Sequence, residues 1–155
     1  MLTHGRAADT TERVDVSDVR ESFTIVLGYD GSESARRGVQ RVRQLAVERP
    51  RVVVVAVAPA VRSAGLGTDL VGQVVDTDLL LAEAGELLAV RGDAAIERRS
   101  AIGDPAVTLI DVAREVAADL IIVGRRGGDF VARTLHGSVA ERVVQLAPCD
   151  VLVVA

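Results

Sequence analysis

Gly124-Arg-Arg-Gly127, nine further residues and then Gly137-Ser138 join a short apolar run, Asp119-Leu-Ile-Ile-Val123, to a segment of helical character, Val139 to Leu146. A glycine-rich connection between a strand end and a helix N-terminus is a natural anion site. Glycine lets backbone N–H groups close around the anion, and the helix dipole adds partial positive charge. The spacing therefore predicts a phosphorylated ligand, a nucleotide. Ser138 and Glu141 have the spacing of a capping box, and the Ser138 hydroxyl can accept from a helix N–H while donating to a phosphate. Arg125, Arg126, Arg133 and His136 stand in or beside this stretch against one acid, Asp129, an excess that suits a polyphosphate. Loop arginines are commonly just solvated, so the contact of each with ligand stays open.

The second constellation is Asp30-Gly31-Ser32, which ends the apolar run Thr24-Ile-Val-Leu-Gly-Tyr29. Asp30 is placed to accept from ribose hydroxyls or from the base, the role an acid takes in dinucleotide sites. Holding a metal through oxygen is the alternative, and Ser32 or Asp30 could equally cap the helix that follows. Val57, ending a second apolar run, reads as an aliphatic wall for a base or as ordinary core. The chain lacks G-x-x-x-x-G-K-[ST], and no G-x-G-x-x-G follows the first strand. P-loop and dinucleotide-enzyme chemistry are disfavoured accordingly. No nucleophile–base pair stands out, so the reading is a binding site without catalytic residues and without a resident metal.

These motifs need elements to hold them. After a mixed, aperiodic segment to about Ser22, read as a flexible extension, strand and helix patterns alternate. Ala35, Val39, Val42, Leu45 and Ala46 share one helical face, with Pro50 ending that helix. Arg51 to Val57 is a strand apolar on both sides, as a parallel sheet requires, and Ala58 to Gly72 reads as a loop. Leu79, Leu80, Ala84, Leu87 and Leu88 mark a second helix, and Ile96 to Ile102 an exposed strand. Asp104-Pro105 opens a third helix as cap and first residue, with Ala106, Leu109, Ile110, Ala113, Val116 and Ala117 inward. Asp150 to Ala155 is the fifth strand. The pattern predicts an α/β fold, a doubly wound five-stranded parallel sheet with helices on both faces. Its ligand crevice lies where the first and fourth strands diverge, and both motifs fall there.

Composition narrows the class further. The chain has 155 residues, 49% hydrophobic but only 2% aromatic, so aliphatics must fill the core, and the scarcity of aromatics argues against a stacking platform for bases. A net charge of −4 argues against broad nucleic-acid binding. No apolar run approaches a membrane span, and no secretory h-region is visible. A single cysteine, Cys149, precludes an intrachain disulfide and fits the cytoplasm. His4 lies in the extension. The uncharged fifth strand, Val151-Leu-Val-Val154, is an unprotected sheet edge that invites pairing with a second copy.

With these residues in view, the chain from about Phe23 to Ala155 resembles the nucleotide-binding universal stress proteins. Their G-2x-G-9x-G-[ST] hallmark is matched by Gly124, Gly127, Gly137 and Ser138. Ile25-Val-Leu-Gly-Tyr-Asp-Gly-Ser32 and Ala147-Pro-Cys-Asp-Val-Leu-Val-Val154 are similar to the family's first and last strands. The resemblance implies a domain over residues 23–155 behind an extension of residues 1–22, with strand order 3-2-1-4-5. It implies Gly28, Tyr29, Asp30 and Val57 around adenosine, and Gly124, Arg125, Gly127, Gly128, Gly137, Ser138 and Val139 around ribose and phosphates. It also implies ATP as ligand, with AMP, ADP or a cyclic adenine nucleotide as alternatives, with or without Mg²⁺. A cytoplasmic homodimer through the last strand, with a stress-regulatory role and an unidentified protein partner, completes the expectation. Slow ATP hydrolysis and a nucleotide-independent interaction module are the alternatives. Ala56, Ala140 and Asp150 depart from residues frequent at those places in the family.

Overall fold

Central strands built from branched aliphatic residues hold the molecule together. The computed structural model describes residues 22–58, 69–125 and 138–155. In chain order the elements are β1 (Thr24–Gly28), α1 (Glu33–Gln44), β2 (Arg51–Ala58), α2 (Asp69–Ala89), β3 (Ala95–Ile102), α3 (Pro105–Glu115), β4 (Leu120–Gly124), α4 (Val139–Leu146) and β5 (Asp150–Val154). The strands form one parallel sheet in the order β3-β2-β1-β4-β5, as expected. The extension read over residues 1–22 lies outside the described residues apart from Ser22, and so does His4.

Strand residues alternate between two cores. Ile25, Leu27, Val52, Val54 and Ile122 face α1 and α2, meeting Val39, Val42, Leu81, Ala84 and Leu88. Val26, Val53, Val55, Ile121 and Val123 face α3 and α4, meeting Leu109, Ala113 and Val143. Each buried aliphatic side chain is worth about 1.5–3 kcal/mol over exposure, and branching at Cβ suits the pleated surface.

The two sheet edges differ. On β3, Glu97 bonds Arg51 Nη2 at 2.7 Å and Arg99 Nε at 2.6 Å, and Arg99 continues to Glu115 at 2.9 Å. Charges of this kind blunt an edge strand. On β5, Val151 to Val154 carry none, and Val153 is 36% exposed. Val144 and Leu146, exposed on the adjacent α4, extend the apolar surface.

The structure corrects several sequence expectations. Helix α1 stops at Gln44, because Leu45 turns extended at ψ 128°, leaving Ala46 exposed beyond the helix. Arg91 takes up the freed end, donating from Nη1 to the carbonyls of Val42 at 2.7 Å and Leu45 at 3.0 Å, and from Nη2 to Val47. Ala58 ends β2, and Asp69 to Gly72 open α2, so the loop read over Ala58 to Gly72 is shorter at both ends. Leu79 is exposed on α2. Ala117 is exposed and left-handed at φ 49°, closing α3. The bonds from Ala118 N to Ala113 O and from Ala117 N to Arg114 O make this a Schellman turn.

Candidate functional site

The carboxyl ends of β1 and β4 are neighbours, yet the chain leaves them for opposite faces. β1 leads to α1, packed on one core, and the connection after β4 leads to α4, packed on the other. This divergence opens a crevice at the switch point of the sheet. Gly28 pairs with Val55 in register, and Tyr29 N extends the ladder to Val55 O at 2.9 Å, which brings Asp30 level with Val57. On the other side Gly124 pairs with Val154, and Arg125 N donates to Val154 O at 2.7 Å. Asp30, Val57, Gly124 and Arg125 therefore gather at one end of the sheet.

On the β1–β2 side, Asp30 is exposed, and its Oδ1 accepts from Ser32 N at 3.0 Å, fixing the tight turn into α1. Gly31 allows that turn with φ +75°, and Leu80 of α2 packs so closely that a Cβ would lie 2.6 Å from its Cδ2. Ser32 caps α1, its Oγ accepting from Ala35 N at 3.2 Å. Val57 is half-buried against the α3–α4 core, as is Val139 from α4, so both aliphatic surfaces lie on one side of the crevice.

Gly28 and Tyr29 play different parts. A Cβ on Gly28 would stand 3.1 Å from Leu109 Cδ1, so this glycine admits α3. The Tyr29 side chain is buried in the α1–α2 core and does not line the crevice. Among the described residues its hydroxyl is a buried polar atom without a hydrogen-bond partner. It lies by the Arg36–Glu83 pair, bonded at 2.8 Å. Burial first, then the Glu83 carboxylate, push the phenol up to about 12, against the opposing effect of Arg36.

The β4–α4 side of the crevice is described at its two ends. Gly124 closes β4 against the first turn of α1: a Cβ there would overlap Ser34 Oγ and stand 3.2 Å from Ala35 N. Ser138 caps α4, accepting from Glu141 N at 3.2 Å, which is the cap its spacing predicted. Gly127, Gly128 and Gly137, with Arg126, Arg133 and His136, lie outside the described residues. Among the described residues no group of three or more His, Cys, Asp or Glu side chains could hold a metal.

One feature of the rim escaped the sequence. Asp104 caps α3 as expected, Oδ1 accepting from Val107 N at 3.0 Å, but its Oδ2 also accepts from Arg142 Nη1 of α4 at 2.5 Å. Burial works to raise this carboxyl. The Arg142 guanidinium and the Val107 and Ala106 N–H groups outweigh it and hold the carboxyl below its ordinary value. The α3 N-terminus is thus neutralised from within by a carboxylate, whereas a hydroxyl caps α4. No local pattern links positions 104 and 142, so only the packing of α3 on α4 reveals the pair.

A parallel α/β domain with a crevice between a carboxylate-bearing turn and a hydroxyl-capped helix is a frame for small anionic ligands. The profile of the Universal stress protein family matches residues 22–155, and the chain belongs to that family. It is 34% identical over 138 residues to the universal stress protein Rv1636 of Mycobacterium tuberculosis, covering 84% of this chain and 94% of that one. A solved universal stress protein in complex with cAMP is 29% identical, with TM-score 0.67, covering 86% of this chain and 97% of that one. The solved protein MJ0577 shares the fold at TM-score 0.72 and 21% identity, over 84% and 94% of the two chains. No helix among the described residues is long and apolar enough to cross a membrane.

Proposed function

We propose that this protein is an adenine-nucleotide-binding regulatory domain whose ligand is ATP, held in the crevice between β1 and β4. The observation that carries the reading is the convergence of Asp30, Val57, Gly124 and the Ser138-capped end of α4 at one switch point. The cAMP bound by a relative of 29% identity supports an adenine nucleotide as the class of ligand. Asp30 receives the ribose hydroxyls, Val57 faces the base, and the Ser138 hydroxyl with the N–H groups around Gly127, Gly128 and Gly137 receives the phosphates. Mg²⁺ arrives on the phosphates, without a carboxylate cage of its own.

The nucleotide domain comprises residues 23–155, with residues 1–22 as an extension, and acts in the cytoplasm as a homodimer. Support for the dimer comes from the uncharged, half-exposed β5 edge beside the exposed Val144 and Leu146. Nucleotide occupancy is then what a protein partner reads during stress.

Calorimetric titration of the full chain with ATP, with and without Mg²⁺, tests the assignment. Saturable binding near one ATP per chain, lost in Gly127→Val where a side chain blocks backbone approach, is the expected result. No heat at millimolar ATP, or unchanged affinity in Gly127→Val, overturns it.

A further inference from the structure

The ion pair between Asp104 and Arg142 stands at the rim of the crevice and belongs to neither motif. Its two ends are tied to different halves of the site. Gly103, at φ +148°, turns the chain out of β3, and its N–H donates to Ala58 O at 2.9 Å, directly after Val57. Asp104 follows and fixes the start of α3. Arg142 lies one helical turn beyond Ser138, its N–H donating to Ser138 O at 3.1 Å. The chain of contacts from Ala58 through Gly103, Asp104 and Arg142 to Ser138 thus joins the base-side strand end to the first turn of α4.

The geometry is suited to fixing a distance. The Asp104 carboxylate is used at both oxygens, once by a backbone N–H and once by a guanidinium. The Arg142 side chain is 24% exposed and that of Asp104 40%, so solvent screens the pair in part and its value lies in geometry more than in strength. Charge-assisted bonds of this kind are short and directional. Helix α4 otherwise meets the sheet through few side chains, Ala140 and Val143 being its buried residues. Val139 and Ala140 seat its first turn on the α3–α4 core, and the Asp104–Arg142 pair adds a directional tie to that packing.

We propose that Asp104 and Arg142 are positioning residues: their ion pair holds the Ser138 end of α4 at the span required by a polyphosphate and so sets the preference for ATP over adenosine. This rests on the nucleotide reading above. Neither residue needs to touch the ligand. Holding the first turn of α4 fixed before binding removes an ordering cost that weighs most on the phosphate-bearing ligand, because the proposed site puts the Ser138 hydroxyl on the phosphates.

A charge effect and a positioning effect predict opposite signs in one variant. Asp104→Asn keeps an oxygen for the α3 cap, removes an anion from the rim and frees the Arg142 cation. If charge alone mattered, ATP would bind tighter. If the pair positions α4, ATP binds more weakly while adenosine is unaffected.

The experiment is calorimetric titration of the full chain, unaltered and as Asp104→Asn, Arg142→Gln and Arg142→Lys, with ATP and with adenosine, alongside thermal melting. The expected result is a fall of about tenfold in the ATP-to-adenosine affinity ratio for Asp104→Asn and Arg142→Gln, the usual size of coupling within one network. Partial recovery is expected in Arg142→Lys. An unchanged or raised ratio in Asp104→Asn overturns the positioning role while leaving the nucleotide site intact. Equal losses for ATP and adenosine, tracking lower melting temperatures, overturn it in favour of simple structural support. Failure of the unaltered chain to bind either ligand overturns the nucleotide reading, and this inference with it.

Discussion

Gly124 and Ser34 are in van der Waals contact across the crevice floor, and the space a Cβ would need at Gly124 is filled by the Ser34 hydroxyl. Gly124 is absent from the positive-φ residues, so close approach, and not backbone conformation, demands glycine here. The first glycine of the G-2x-G-9x-G-S pattern therefore seats the N-terminus of α1 on β4. Gly124→Ala should cost about 1–3 kcal/mol of stability, the usual penalty of overpacking. Adding Ser34→Ala should recover part of it by removing Oγ. Urea unfolding of the single and double variants measures both, and additive losses would show that the two positions do not clash.

Tyr29 is the only tyrosine, and the chain has no tryptophan, so ultraviolet absorbance of its phenolate reports this residue alone. Titration should show a midpoint near 12 in the folded protein against 10.0 in the unfolded chain. A phenol whose pKa is raised by folding binds its proton more tightly in the native state. Its contribution is fully present below pH 10 and is lost as pH rises from 10 through 12. Tyr29→Phe should flatten stability over that window. A native midpoint near 10 would place the ring in contact with water.

Ala117 adopts the left-handed conformation that glycine takes without steric cost. Ala117→Gly should stabilise the protein by up to about 1 kcal/mol, the relief at a Schellman position outweighing the added freedom of the unfolded chain. Thermal melting decides the sign. Destabilisation would mean that unfolded-chain entropy dominates.

Arg91 gathers carbonyls of Val42, Leu45 and Val47 and pairs with Asp93 at 2.8 Å, its side chain only 10% exposed. Arg91→Met keeps much of the apolar stem but takes the guanidinium from all three carbonyls, leaving Val42 O only its longer bond from Leu45 N at 3.4 Å. A loss of about 2–4 kcal/mol is expected, read by urea denaturation. A loss below 0.5 kcal/mol would show that water replaces the guanidinium freely.

On β5, Val153→Lys should convert a dimer to monomer in light scattering, because the lysine charge opposes edge pairing. A dimer of unchanged mass would move the interface elsewhere on the surface.

The order of elements was legible because parallel strands buried on both faces must be runs such as Val52 to Val55, and because helices between them must carry an apolar stripe. Local chemistry also revealed the caps: Ser32, Asp104 and Ser138 each accept from the N–H three residues on, as their types and spacing indicated. Those are contacts within one turn of chain, and sequence order alone brings the partners together. The end of α1 was not legible, since the carbonyls that Arg91 satisfies belong to a segment more than forty residues away. Nor was the tight seat of Gly124 on Ser34, the burial of the Tyr29 hydroxyl by the Arg36–Glu83 pair, or the reach of Arg142 to Asp104. Each depends on where one element packs against another, a distance fixed by the volumes of side chains in the two cores. The sequence by itself determined the elements, their caps and the switch point where a ligand would sit. Only the tertiary structure decided which side chains face that crevice and which distant residues pair beside it, because packing, unlike periodicity, is a property of the whole chain at once.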